Sequence, residues 1–130
     1  MLFRSACPEG YRPDAGIMEW AAENGDFTCT ADVMEAAFGA DVLYTDVWSS
    51  MGQEKEAQKK KEIFAGVYQL NDKVLEAAKP DAIVLHCLPA HREEEITEKV
   101  FEAHAGEIFE QAENRLHVQK AVMVKLMEEK

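Results

Sequence analysis

VLYTDVWSSMGQE, residues 42–54, passes from an apolar run into a carboxylate, an aromatic, two hydroxyls, a thioether and a glycine. An apolar run of four to six residues closed by turn formers reads as a buried strand, and polar groups at its end are delivered to one rim of a sheet. AIVLHCLPAHR, residues 82–92, repeats the plan and ends in His86, Cys87, Leu88, Pro89, His91 and Arg92. Strands are expected at Val42 to Val47 and Ala82 to Cys87, apolar enough to be buried on both faces and to form the centre. Leu2 to Ala6 and Phe27 to Thr30 supply two more.

Working outward, the intervening segments carry helix signals. PDAGIMEWAAENG, residues 13–25, has Pro13 near a start, Ile17, Met18 and Ala21 on one face, and Gly25 as a stop. DVMEAAFGAD offers Asp32 as an N-cap and Gly39 as a C-cap. QEKEAQKKKEIF is helix-forming but almost wholly polar, as a solvated face is. NDKVLEAAKP reads as an N-capped helix stopped by Pro80, and the final ENRLHVQKAVMVKLMEEK places Val118, Ala121, Val122 and Leu126 on a stripe expected to pack on the sheet. Strands alternating with helices predict an α/β three-layer sandwich, Rossmann- or flavodoxin-like, with a small, mainly parallel sheet of about four strands. At 130 residues one domain, 1–130, is expected.

Charge narrows the partners. Lys+Arg 14 against Asp+Glu 25 gives a net charge of -11, which repels nucleic acid and anionic lipid alike. No apolar run approaches the roughly 20 residues of a membrane helix. MLFRSACPEGY lacks the pattern of a secretory signal, so a cytoplasmic protein is expected. Cys7, Cys29 and Cys87 form no C-x-x-C pair, which indicates reduced thiols. HCLPAH holds two His and one Cys but lacks a fourth ligand, so neither a metal nor a cofactor is expected.

Ligands collect beyond the carboxyl ends of parallel strands, where loops converge. Asp46 beside Ser49 and Ser50 suits an ammonium group, which needs acceptors and compensating charge. Each residue also has a plainer reading. Asp46 and Ser50 serve equally as cap or turn formers, Met51 as core filling, Cys87 as an inert buried thiol and Arg115 as a surface arginine. Against this, His86 and His91 flank Cys87, and ENR at a helix start would turn Arg115 toward an anion or a carbonyl oxygen. His104 and His117 carry no further signal.

DVWSSMGQE, then HCLPAHR, then AENRLHVQKA, in that order and spacing, resemble the C-terminal, ornithine-binding half of the ornithine carbamoyltransferase family, and the likeness runs from ACPEGYRPD nearly to the end. The resemblance implies that Asp46, Ser50 and Met51 hold the amino-acid end of ornithine, with Asp46 pairing its α-ammonium. It also implies that Cys87 and the Leu88 carbonyl sit near the reacting amine, and that Arg115 contacts the carbamoyl group, His86 being a further candidate there. Such enzymes join a neutral amine to carbamoyl phosphate, giving citrulline and phosphate. That chemistry needs an aimed amine, positive donors for the oxyanion and a cationic cradle for the phosphate.

The family's serine-threonine-arginine-threonine-arginine phosphate loop has no counterpart, since Arg4, Arg12, Arg92 and Arg115 are the only arginines. The expectation is therefore an ornithine half-site that binds weakly and is inactive alone, carbamoyl phosphate entering only with a complementary domain. The competing reading is a non-catalytic amino-acid-binding or assembly module of the same fold. The family domain's first strand, central in its sheet, and its first helix are also absent. Either Leu2 to Ala6 shifts beside Val42 to Val47, or a second chain covers the edges; a homo-oligomer is expected. EEEIT stands where a glycine-glutamate pair is usual, with Glu93 expected to start a helix.

Overall fold

The computed structural model describes residues 1–49 and 54–128, with backbone alone at 54 and 55. In chain order the elements are β1 (Leu2–Ala6), α1 (Ala15–Asn24), β2 (Asp26–Thr30), α2 (Val33–Ala37), β3 (Val42–Thr45), α3 (Glu54–Phe64), α4 (Asp72–Ala77), β4 (Ile83–His86), α5 (Glu98–Ala103) and α6 (Ala105–Glu128). Short polar side chains start the helices where the sequence offers them. Asp32 Oδ1 accepts from the N–H groups of Met34 and Glu35, and Asn71 Oδ1 from those of Lys73 and Val74. Asp14 does the same for α1, just after Pro13, and Gly25 is its C-cap.

All strand pairing among the described residues is parallel, as alternation with helices requires. β1 lies on β2 from Leu2↔Asp26 to Ala6↔Thr30, and β3 lies on β4 from Val42↔Ile83 to Thr45↔His86. The four strands form two two-stranded sheets among the described residues, so Leu2 to Ala6 does not shift beside Val42 to Val47. Its position is fixed locally instead. Phe3 stacks on Phe27 at 5.9 Å between ring centroids, and the Arg4 guanidinium donates to the Glu35 carbonyl at 2.9 Å, tying β1 to β2 and α2.

The inner strands are buried on one face, not both. Leu43, Val84 and His86 point into the core, whereas Val42, Tyr44 and Ile83, one residue out of phase, are exposed. The core gathers around β3 and β4 from Ala37, Leu43, Leu70, Val74, Val84, Ile96, Val100, Phe101 and Ile108. Each fully buried branched side chain here contributes about 1.5–3 kcal/mol.

α6 also departs from expectation. Its first turns bury Ile108, but Val118, Val122 and Leu126 are exposed rather than packed on the sheet. The cause is length: a 24-residue helix extends about 36 Å, while a four-residue strand extends about 13 Å. The helix outruns its support. Where the two run side by side, Glu107 Oε2 accepts from the Val84 N–H at 3.1 Å and Gln111 Oε1 from the His86 N–H at 2.9 Å. Four helical residues rise about 6 Å and two strand residues about 6.6 Å, so this i, i+4 row matches alternate N–H groups of β4. The outer edge of β4 is thereby covered by side chains.

Residues 92–97 form a turn, not the start of a helix. Glu93 lies at φ 66°, its N–H bonded to the Ile96 carbonyl at 2.8 Å, and α5 begins only after Thr97, whose hydroxyl caps Val100. The turn is pinned from outside: Leu70 N–H donates to the Glu95 carbonyl at 2.8 Å and Thr97 N–H to the Leu70 carbonyl at 3.1 Å. Arg92 pairs with Glu102 and sits 4.9 Å from the Phe101 ring centre, a structural arginine held against α5.

Candidate functional site

β3 and β4 are neighbours in parallel, so their carboxyl ends release the chain on the same rim. Asp46 follows β3 directly, and Cys87 and Leu88 follow His86, the last residue of β4. The ligating atoms of Asp46, His86 and Cys87 all lie within 4.8 Å of one another. Asp46 is exposed, with Oδ1 accepting its neighbour's N–H, from Val47, at 2.7 Å; Cys87 is half-buried and His86 fully buried.

His86 is fixed through both ring nitrogens. The Leu88 N–H points at Nδ1 at 2.9 Å, and Nε2 lies 2.9 Å from Glu95 Oε1. An N–H donor facing Nδ1 requires a lone pair there, so the proton sits on Nε2 and is donated to the carboxylate. Glu95 Oε1 also accepts from the His91 N–H at 2.6 Å, whereas the equally buried Oε2 has no hydrogen-bond partner among the described residues. Burial pushes the Glu95 carboxyl up, but the bonds from His86 and the His91 N–H outweigh it, so the net shift is below the ordinary 4.5.

Asp46, His86 and Cys87 are spaced as three ligands of one cation would be. Both imidazole nitrogens are already engaged, however, so a metal would have to displace the Leu88 N–H or Glu95. The arrangement fits a hydrogen-bonded site better. Within it, burial pushes the Cys87 thiol above its ordinary 9.0 and the hydrogen-bonded Asp46 carboxylate adds to the effect. At neutral pH Cys87 is therefore a neutral thiol, not an activated thiolate.

Leu88 has φ 54°, a left-handed conformation that branched-chain residues rarely adopt, and its bond to Pro89 is cis. The left-handed φ costs a leucine about 1–3 kcal/mol and persists only where the surroundings over-determine it. Here the bond to His86 Nδ1 is one such restraint.

Arg115 lies in the middle of α6, not at a helix start, because nothing between 107 and 128 interrupts the helix. It is exposed and has no hydrogen-bond or ion-pair partner among the described residues. It nevertheless continues the row of Glu107 and Gln111 by one further i+4 step, about 6 Å along. Since Glu107 stands beside Val84 and Gln111 beside His86, that step carries Arg115 past His86, the last residue of β4. Ser50 and Met51 lie outside the described residues. An open groove of about 550 Å³ between α2 and α4, lined by Asp32, Met34, Val67, Asn71 and Lys73 among others, contains none of these residues.

Three participants escaped the sequence reading. The Tyr44 side chain faces Gln111 and Cys87, Gln111 bridges α6 to β4, and Glu95 holds His86. The i, i+4 spacing of Glu107 and Gln111 was a legible signal. Glu95 had none, being the third of three successive glutamates of which the first is exposed and the second half-buried.

Comparison with known proteins identifies the domain. Residues 1–126 match the family model described as aspartate/ornithine carbamoyltransferase, Asp/Orn binding domain. Ornithine carbamoyltransferase of Pelobacter propionicus is 53% identical over 124 residues, covering 94% of this chain and 40% of that protein. The counterpart from Methanosarcina acetivorans is 53% identical over 128 residues, covering 98% and 42%. Among solved structures, anabolic ornithine carbamoyltransferase from Campylobacter jejuni superposes with a TM-score of 0.91 at 38% identity, covering 98% of this chain and 44% of that one. The chain spans about 40% of the length of the curated relatives it matches.

Proposed function

Because the chain belongs to the aspartate/ornithine carbamoyltransferase family by its Asp/Orn-binding domain, we propose that it supplies the amino-acid half of a carbamoyl-transfer site. The observation that carries this reading is the convergence of Asp46, His86 and Cys87 on one rim. Asp46 pairs the α-ammonium of ornithine, and Ser50 and Met51, four and five positions on in the sequence, share in holding its amino-acid end. A neutral thiol at Cys87 and the carbonyl of Leu88 receive the side-chain amine, and both favour its uncharged, nucleophilic form because neither adds a full negative charge beside it. Arg115 meets the carbamoyl oxygen, where a fixed guanidinium stabilises the developing oxyanion. His86 shapes this rim through Leu88.

The leaving phosphate needs a cationic cradle that these residues do not form, so turnover to citrulline requires a complementary carbamoyl-phosphate domain. On this reading the chain is half of a bilobed catalyst serving arginine metabolism in the cytoplasm. An open half-site is wet, which weakens every charge interaction, and ornithine is expected to bind at about millimolar Kd. The exposed apolar residues of α6 support self-association of the chain.

Calorimetric titration with ornithine tests the reading. The wild-type chain should give weak saturable heat and Asp46→Ala none; indistinguishable heats from the two proteins would refute it. Citrulline should appear only when the chain is mixed with a carbamoyl-phosphate-binding domain.

A further inference from the structure

Resting on that reading of the site, we propose that Glu95 is a positioning residue: acting through His86, it holds Leu88 in the backbone conformation that aims its carbonyl at the substrate amine. The path is short and every step is a hydrogen bond. Leu70 N–H fixes the Glu95 main chain at 2.8 Å, and Glu95 Oε1 accepts from His86 Nε2 at 2.9 Å. His86 Nδ1 accepts in turn from the Leu88 N–H at 2.9 Å. Both side chains are 0% exposed, so neither bond competes with water.

Direction matters in this relay. A carboxylate only accepts, so it forces the imidazole proton onto Nε2 and leaves the lone pair on Nδ1. That lone pair is what an N–H at residue 88 requires, and without it the opposite tautomer would set two N–H groups against each other. The bond anchors a leucine at φ 54°, where it would not rest unaided. Turning Leu88 back to ordinary φ would reorient its carbonyl, which follows His86 and Cys87 at the end of β4.

Stability alone does not account for Glu95. A buried carboxylate is costly, and this one leaves Oε2 without a partner among the described residues. Of the three glutamates in sequence, Glu93 Oε1 accepts from the Glu98 N–H and Glu94 pairs with Lys61, while only Glu95 turns wholly inward. Its single used oxygen serves His86 and the His91 N–H, the two ends of the segment that contains Leu88.

Nitrogen NMR on the full chain reads the relay without ligand. In the wild type, His86 should show a protonated Nε2 and bare Nδ1, with scalar coupling across the hydrogen bond from Leu88 N–H to Nδ1; absence of that coupling overturns the proposal. Glu95→Leu, which removes the acceptor, should lose the coupling and weaken ornithine binding about tenfold or more. Glu95→Gln, which keeps a carbonyl acceptor, should retain the tautomer and bind within about threefold of wild type. If Glu95→Leu fails to fold, Glu95→Asp, which withdraws the carboxylate by one methylene, stands in its place under the same criteria. A folded Glu95→Leu or Glu95→Asp chain that keeps either the coupling or full ornithine affinity refutes the positioning role. A wild type that shows the coupling but gives no heat with ornithine overturns the amino-acid site, and the proposal for it, while leaving the relay itself measured.

Discussion

The chain contains two parallel strand pairs of similar size, and only one of them has a core. The β1–β2 pair exposes Leu2 and Phe3, and its crossover helix α1 buries no residue at all. The β3–β4 pair is packed by α4, α5 and the first turns of α6 around nine buried residues, only Ala37 and Leu43 coming from the chain before residue 70. A lone two-stranded sheet is marginal in water, so the first pair persists through local contacts and through α2, whereas the second is anchored by burial. The candidate site grows from the second pair. Groups that must stay within tenths of an ångström of one another are placed on the part of the molecule with the denser core.

That contrast has a measurable scale. Ile96, 0% exposed and bracketed by the bridges to Leu70 and Arg92, should lose about 2–5 kcal/mol on Ile96→Ala in urea unfolding. Acidification should act on the same side of the molecule. The folded Glu95 carboxyl lies below its ordinary 4.5, so the native state binds fewer protons than the unfolded chain and stability rises with pH in that window. Stability from this group is complete above the ordinary value and is lost as pH falls through the lower folded value; Glu95→Gln should flatten the slope. Phe3→Ala in the first pair should cost only about 1 kcal/mol, the worth of a partly exposed aromatic stack, and an effect equal to Ile96→Ala would erase the distinction. Smallest of all, Leu126→Lys should change unfolding by less than about 0.5 kcal/mol while lowering self-association in sedimentation.

Much of the fold was legible because its signals are local. Apolar runs located all four strands, β1 to the residue, and Asp32 and Asn71 announced their helices because a cap acts on the next turn alone. What escaped depends on distance. Nothing in the apolar stripe of α6 says that the strand beside it stops after four residues, and nothing in Val42 or Tyr44 says that one face of the sheet lies open. The site divides in the same way. That Asp46, His86 and Cys87 lie together was legible because strand ends converge, but Glu95 reaches His86 by a turn whose shape is set by Leu70, a residue 25 positions earlier. A positive φ at Leu88 and Glu93 likewise carries no sequence mark, since neither is a glycine or an asparagine.

The row of Glu107 and Gln111 along β4 has a consequence for assembly. Their side-chain oxygens fill the places an incoming chain would need, so among the described residues the β3–β4 ribbon is left open to a newcomer beside β3. If two copies join there about a two-fold axis, each blocks the other's single open flank, and growth halts at a pair instead of running on into a fibre.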